Sequence, residues 1–274
     1  MVTNSDFSTA NLSLVIFALG SLLYGQVAIE PMRKADLTPG LHTNLNLDFS
    51  MLAGNSSHTR VRTGLRFDYL KGAVHSFLTS SFQQGSLIEE YFVNKGFAHL
   101  RRTQSLRGRL FVEGFLQWEY NDFIRLKDRR LAGGGLRVRW LEERMGEKEA
   151  PSLQVHTGTG FMWERERIRN TKDPTDALKD LSRSTNYVTL GWTPDERVLL
   201  QLTTYFQPDV RRPKDFRVLL DGHLAFTLAG KLSATIKLST RYDNEPPIVI
   251  EKDGLEKGIK KYDVELTSGL TYTF

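Results

Sequence analysis

From Leu41 to its last residue the chain repeats one pattern, apolar side chains at every second position with polar or charged ones between. Leu41, Leu45, Leu47, Phe49 and Met51 alternate with His42, Asn44, Asn46, Asp48 and Ser50. Leu110, Val112, Leu116, Trp118 and Tyr120 share one phase, while Glu113, Gln117 and Glu119 hold the other. Leu232, Ala234, Ile236 and Leu238 then alternate with Ser233, Thr235, Lys237 and Ser239. Successive side chains of a strand point to opposite faces, so a period of two means strands with one apolar and one polar face.

The pattern predicts strands at 41–52, 58–69, 73–83, 91–104, 108–121, 126–141, 152–164, 184–193, 197–207, 214–228, 231–243 and 259–274. Single-chain bacterial membrane barrels have an even strand number, short turns on one rim and longer loops on the other. Here Lys71-Gly72, Thr103 to Arg107, Thr193 to Glu196 and Ala229-Gly230 read as short turns. Gln83 to Gly96, Glu164 to Arg183, Gln207 to Pro213 and Asn244 to Gly258 read as longer loops. Ala53 to Ser57 and Glu142 to Pro151 break the alternation. The expected fold is all-β: a closed, antiparallel, up-and-down transmembrane β-barrel of about 12 strands.

Ahead of the pattern, Leu12 to Leu23 form the one continuous apolar run. Twelve residues are too few to span a bilayer as a helix, but they match the apolar core of a secretory signal peptide. The segment before it carries Asp6 and no Lys or Arg, which is unusual for such a leader. The expected organisation is a signal peptide over 1–25, a short periplasmic segment over 26–40 and the barrel over 41–274. The expected location is the outer membrane of a Gram-negative bacterium, reached through the periplasm.

Composition changes this picture little. The 274 residues include no Cys, which excludes disulfides, cysteine metal sites and a thiol nucleophile. A mean hydropathy of −0.35 excludes a bundle of membrane helices but not a barrel, whose strands make alternate residues polar. The net charge of +5 is modest, and the basic residues follow strand phase instead of gathering on one surface, so no nucleic-acid partner is expected.

Two features strengthen the membrane reading. Trp118, Trp140, Trp163 and Trp192 all fall in the apolar phase near strand ends, two on each rim, as in an aromatic girdle. The chain ends Thr267-Ser268-Gly269-Leu270-Thr271-Tyr272-Thr273-Phe274. With Gly269, Tyr272 and Phe274 in phase, it resembles the insertion signal that outer-membrane barrels present to their assembly machinery. That machinery is one expected partner; outer-membrane lipids and lipopolysaccharide are the others.

Three stretches carry a family resemblance: Gly96-Phe97-Ala98-His99-Leu100-Arg101, the segment Phe111 to Leu141, and Tyr242-Asp243-Asn244-Glu245-Pro246-Pro247. The chain resembles the YdiY-like family of salt-induced outer-membrane proteins, a domain of unknown function. The resemblance implies an exported β-barrel and assigns no activity.

With the apolar phase facing lipid, the polar phase faces the lumen. Its basic members are Arg60, Arg62, Arg66, Arg101, Arg109, Arg129, Arg137, Arg139, Arg183, Arg217, Lys237 and Arg241. Its acidic members are Asp48, Asp68, Glu113, Glu119, Glu164, Asp215, Asp221, Asp243, Asp263 and Glu265. Near balance predicts mutual pairing, since buried charges persist only with partners. His99 and His156 join the lumen-lining candidates. Pairing across Thr103–Arg107 places His99 opposite Glu113, and pairing across Asn121 to Leu126 places Glu113 opposite Arg137. The second register sets Gly133 and Gly135 against Gln117 and Phe115, leaving room for Phe115 inside. A cluster of His99, Glu113 and Arg137 is therefore expected.

No catalytic, cofactor or metal site is expected. The six His residues show no i, i+2 pair, and no Ser-His-Asp set can be assembled from the spacing. Two functions stay open: a narrow passive pore for small polar or anionic solutes, and a structural or envelope-stress barrel with a salt-bridged, closed lumen. A lipid-modifying enzyme is a distant third.

Overall fold

The computed structural model describes residues 37–52, 58–87, 90–122, 125–144, 151–169, 177–195, 197–230, 232–246, 248–250, 256–258 and 260–272. The expected signal peptide, most of the segment after it and Phe274 lie outside the described residues. Fourteen strands follow in chain order: β1 (Gly40–Leu52), β2 (His58–Lys71), β3 (Val74–Leu87), β4 (Glu90–Arg107), β5 (Leu110–Asn121), β6 (Leu126–Arg144), β7 (Pro151–Ile168), β8 (Ala177–Asp195), β9 (Val198–Pro208), β10 (Phe216–Ala229), β11 (Leu232–Asp243), β12 (Ile248–Ile250), β13 (Glu256–Gly258) and β14 (Tyr262–Tyr272). Twelve form one up-and-down antiparallel sheet in the order β1 to β11, then β14; β12 and β13 form a separate hairpin. Among the described residues no ladder joins β1 to β14.

Every one of the twelve expected strands is present, but several run further than their alternation. The expected loop Gln83 to Gly96 is strand on both sides, with Leu87 paired to Glu90. Likewise β7 and β8 extend to Ile168 and back from Ala177, shortening the expected Glu164 to Arg183 loop. The turn expected at Thr103–Arg107 falls instead at Gly108-Arg109, where Gly108 has φ +55°. A two-residue hairpin of the II′ kind needs a left-handed first residue, which glycine supplies without steric cost.

The sheet is inside-out relative to a water-soluble protein. Leu45 is 74% exposed, while Glu164 and Arg183 are 0% and 1% exposed. The polar face is concave. In a flat sheet β5 and β8 lie about 14 Å apart, yet Tyr187 on β8 donates to Glu113 on β5 at 3.1 Å. Similarly, Arg217 on β10 reaches Glu164 on β7 at 2.6 Å.

Curvature is helped by a glycine patch in β6 and β7, where Gly135 pairs with Gly160. A methyl group on Gly133 would sit 2.6 Å from Phe115 Cζ and 2.8 Å from Met162 Cβ. The missing side chains make the space that neighbouring rings fill.

Candidate functional site

The concave face carries two polar clusters. The first lies toward the end where β5 meets β6 and β7 meets β8. Arg129 contacts Glu119 at 2.7 Å, Glu164 at 3.1 Å and Glu166 at 3.0 Å. Arg183 holds Glu164 at 3.1 Å and Asp215 at 2.9 Å, and donates to the Gln207 carbonyl at 3.2 Å. Arg217 completes the set with Glu164 at 2.6 Å, Glu166 at 3.3 Å and Asp243 at 2.8 Å. Glu164 is thus shared by three guanidinium groups from three different strands. All these side chains are buried or nearly so, and a guanidinium's five donors allow each arginine to serve several carboxylates at once.

The second cluster is centred on Glu113. Arg101 donates to it at 3.2 Å, Tyr187 at 3.1 Å and Thr103 at 3.4 Å, and Arg137 lies 3.8 Å away. Arg101 Nε also donates to His99 Nε2 at 3.3 Å, while His99 Nδ1 meets Gln117 Oε1 at 3.0 Å. These partners assign His99 as the Nδ1–H tautomer, because Nε2 must accept. Its ring stacks on Phe97 and Phe115 at 6.3 and 5.8 Å.

His99, Glu113 and Arg137 therefore share one cluster, but not in the expected register. His99 pairs with Gln117, Thr103 with Glu113, Glu113 with Gly135 and Phe111 with Arg137. The later turn at Gly108 moves β5 four residues along β4, so that His99 meets Gln117 instead of Glu113, and β6 lies two residues from its expected place on β5. Bulges between Ser105 and Arg107 and between Glu119 and Asn121 each shift the pairing by a single residue. Phe115 pairs with Gly133 rather than Gly135, and still lies in the space that glycine leaves.

The other expected lumen residues are spread around this core. Arg66 binds Asp68 at 2.5 Å, and Asp68 also meets His75 at 3.0 Å. Arg139 pairs with Glu142, and His156 lies 3.3 Å from Gln154. Arg60 and Arg241 are half-buried, with Arg241 in electrostatic reach of Glu119 and Arg129. Arg62 and Lys237 are exposed, near the unpaired edges of the sheet.

Tyr187, Tyr205, Glu166 and Gln207 belong to the site although the alternation did not single them out. A signal existed for Tyr187, which is paired with Gly158 and lies over it.

On the convex face all four tryptophans are exposed. Trp118 is level with Arg130, and Trp163 with Ala132, near one rim. Trp140 and Trp192 stand toward the other rim, Trp192 level with Leu153. Gly269 lies in β14, and only the backbone of Tyr272 is described.

A family model described as a protein of unknown function, DUF481, matches residues 45–274. No curated protein sequence matches the chain. Among solved structures, the NanC porin in a rhombohedral crystal form aligns with TM-score 0.44 and 10% identity, covering 84% of this chain and 100% of that one. OmpT of Vibrio cholerae, an outer membrane protein folded in vitro, aligns with TM-score 0.24 and 8% identity, covering 85% and 96%.

Proposed function

The chain belongs to the DUF481 family, the YdiY-like proteins, and from that premise we propose an outer-membrane β-barrel, closed between β1 and β14, whose lumen ion pairs hold shut. An apolar convex face needs lipid, and only a closed sheet leaves no unsatisfied edge inside a bilayer. The tryptophan spacing supports this. From the level of Trp118 to Trp140 is ten residues along β6. That is about 33 Å of strand, or about 25 Å of height at the usual tilt, which matches the apolar band of such barrels.

The observation that carries the sealed reading is the layer around Glu164. Six strands contribute charged groups to it, and they spend their hydrogen bonds on one another. Removing one partner of such a buried set is costly, so the layer resists opening. The role that follows is structural, within the envelope, with no continuous path for solutes.

A second reading, a narrow passive pore for small polar or anionic solutes, is favoured by Arg62 and Lys237, which are exposed on the polar face. One experiment separates the two. Folded protein reconstituted in planar bilayers is expected to carry no steady current, and the double variant Glu119→Ala/Arg129→Ala to carry one. Steady anion-selective current through the wild type that falls in Arg62→Gln or Lys237→Gln would overturn the sealed lumen.

A further inference from the structure

The convex face has a charged patch that the lumen does not explain. One row runs straight across four strands: Trp118 on β5, Arg130 on β6, Arg165 on β7 and Asp180 on β8. Arg130 and Arg165 are therefore direct cross-strand partners on one face, 59% and 45% exposed. Like charges placed opposite one another destabilise a sheet unless an anion lies between or over them. Two residues beyond them on the same face, Arg167 adds a third guanidinium, paired with Asp128, and Arg169 follows beside Asp122.

Carboxylates hold these arginines without neutralising them. Asp128 is shared by Arg130 at 3.0 Å and Arg167 at 3.5 Å, and Asp180 takes Arg165 at 2.9 Å. A carboxylate engages at most one edge of a guanidinium, so each exposed fork keeps donors for another acceptor. Trp118 ends the same row, Trp163 lies two residues further into the sheet along β7, and Arg165 stands 5.8 Å over the Trp163 ring.

Rings that mark the membrane interface, with paired guanidinium forks beside Trp118 and beyond Trp163, describe a surface for a lipid that is apolar below and anionic at its head. We propose that Arg130, Arg165 and Arg167 bind the phosphate headgroup of a phosphorylated outer-leaflet glycolipid whose acyl chains lie along Trp118 and Trp163. The inference rests on the outer-membrane reading above. Asp128 and Asp180 act as positioning residues that fix the forks.

The test uses full-length folded protein in detergent, with bis-phosphorylated lipid A and the same lipid stripped of both phosphates as probes. Binding is read by native mass spectrometry and by tryptophan fluorescence. The phosphorylated lipid is expected to bind and the stripped lipid to bind at least tenfold more weakly. Arg130→Gln/Arg165→Gln is expected to lose about ten- to thirtyfold in affinity, and Arg102→Gln/Arg107→Gln, toward the opposite rim, to lose none. Equal binding of the two lipids, an unchanged double variant, or full displacement of the lipid by millimolar inorganic phosphate would overturn the proposal. Insertion into lipid vesicles, followed separately by heat-modifiable gel mobility, tells the two readings apart. Protein that fails to insert refutes the membrane reading; protein that inserts without preferring the phosphorylated lipid refutes this inference alone.

Discussion

Tyr187 donates its hydroxyl to Glu113 at 3.1 Å although two strands of the sheet separate them. The contact records curvature, since neither strand could reach the other across a flat sheet. It also ties β8 to a carboxylate that already accepts from Arg101 and Thr103. Removing the hydroxyl leaves Glu113 with charged and polar partners; removing the carboxylate leaves Arg101 without its closest anion. Tyr187→Phe is therefore expected to cost about 1 kcal/mol and Glu113→Ala about 3–5 kcal/mol. Urea unfolding of the detergent-folded protein measures both, and equal losses would contradict the assignment of Glu113 as the hub.

The same tyrosine depends on a glycine. A methyl group at Gly158 would collide with the Tyr187 ring, as one at Gly96 would with the ring of Tyr120. In both cases the aromatic residue is paired directly with the glycine it covers. Gly158→Ala is expected to destabilise the protein by about 1–3 kcal/mol, the usual cost of overpacking. In Gly158→Ala/Tyr187→Ala the two losses should add to less than their sum, because the collision is gone. Additive losses would show that the ring and the glycine do not share space.

These contacts show what the sequence carries and what it hides. The twelve strands were legible because an apolar face on one side and a polar face on the other impose a strict period of two. That signal ends where both faces turn polar: Glu164, Arg165, Glu166 and Arg167 are all charged, so alternation stops while β7 continues to Ile168. Gln83 to Leu87 behaves the same way at the end of β3. Register was less legible, because it hangs on where the hairpin turns: placing the turn at Gly108-Arg109 instead of Thr103–Arg107 displaces every pair of β4 with β5 without changing the pattern of either strand. The membership of His99, Glu113 and Arg137 in one cluster survived that error because long side chains bridge a displacement of a few residues. The roles of Tyr187 and Arg217 depend on curvature, which no strand encodes alone.

Closure makes a prediction about residues that no ladder yet joins. Leu45 on β1 and Leu270 on β14 both expose their side chains on the apolar face. Carrying the observed registers from strand to strand, and closing the sheet at a tilt of about 35–45°, brings Leu45 level with Ser268, Leu270 or Tyr272. The chain has no cysteine, so introduced pairs report without background. Leu45→Cys combined with one of Ser268→Cys, Leu270→Cys or Tyr272→Cys should form an intramolecular disulfide in folded protein, seen as a gel-mobility shift. Leu45→Cys with Leu202→Cys, on β9, should not. If none of the three pairs closes, β1 and β14 are not neighbours in the membrane.

The ion-pair layer predicts a sharp contrast between buried and exposed charges. Glu164 is fully buried among Arg129, Arg183 and Arg217, whereas Arg165 and Asp180 form an exposed pair nearby on the opposite face. Glu164→Gln keeps the volume of the side chain but removes the charge three guanidinium groups share. The arginines then repel one another across a low-dielectric site with fewer anions between them. A loss of about 3–5 kcal/mol is expected. Asp180→Asn should cost far less, because water screens that pair and its side chains give up entropy to form it. Raising the salt concentration should further reduce the small effect of Asp180→Asn and leave that of Glu164→Gln nearly unchanged, since counterions reach only the exposed pair. Urea unfolding midpoints at low and high salt measure the contrast. A Glu164→Gln loss that shrinks with salt as steeply as that of Asp180→Asn would mean that water and ions enter the layer, and the lumen would then be open.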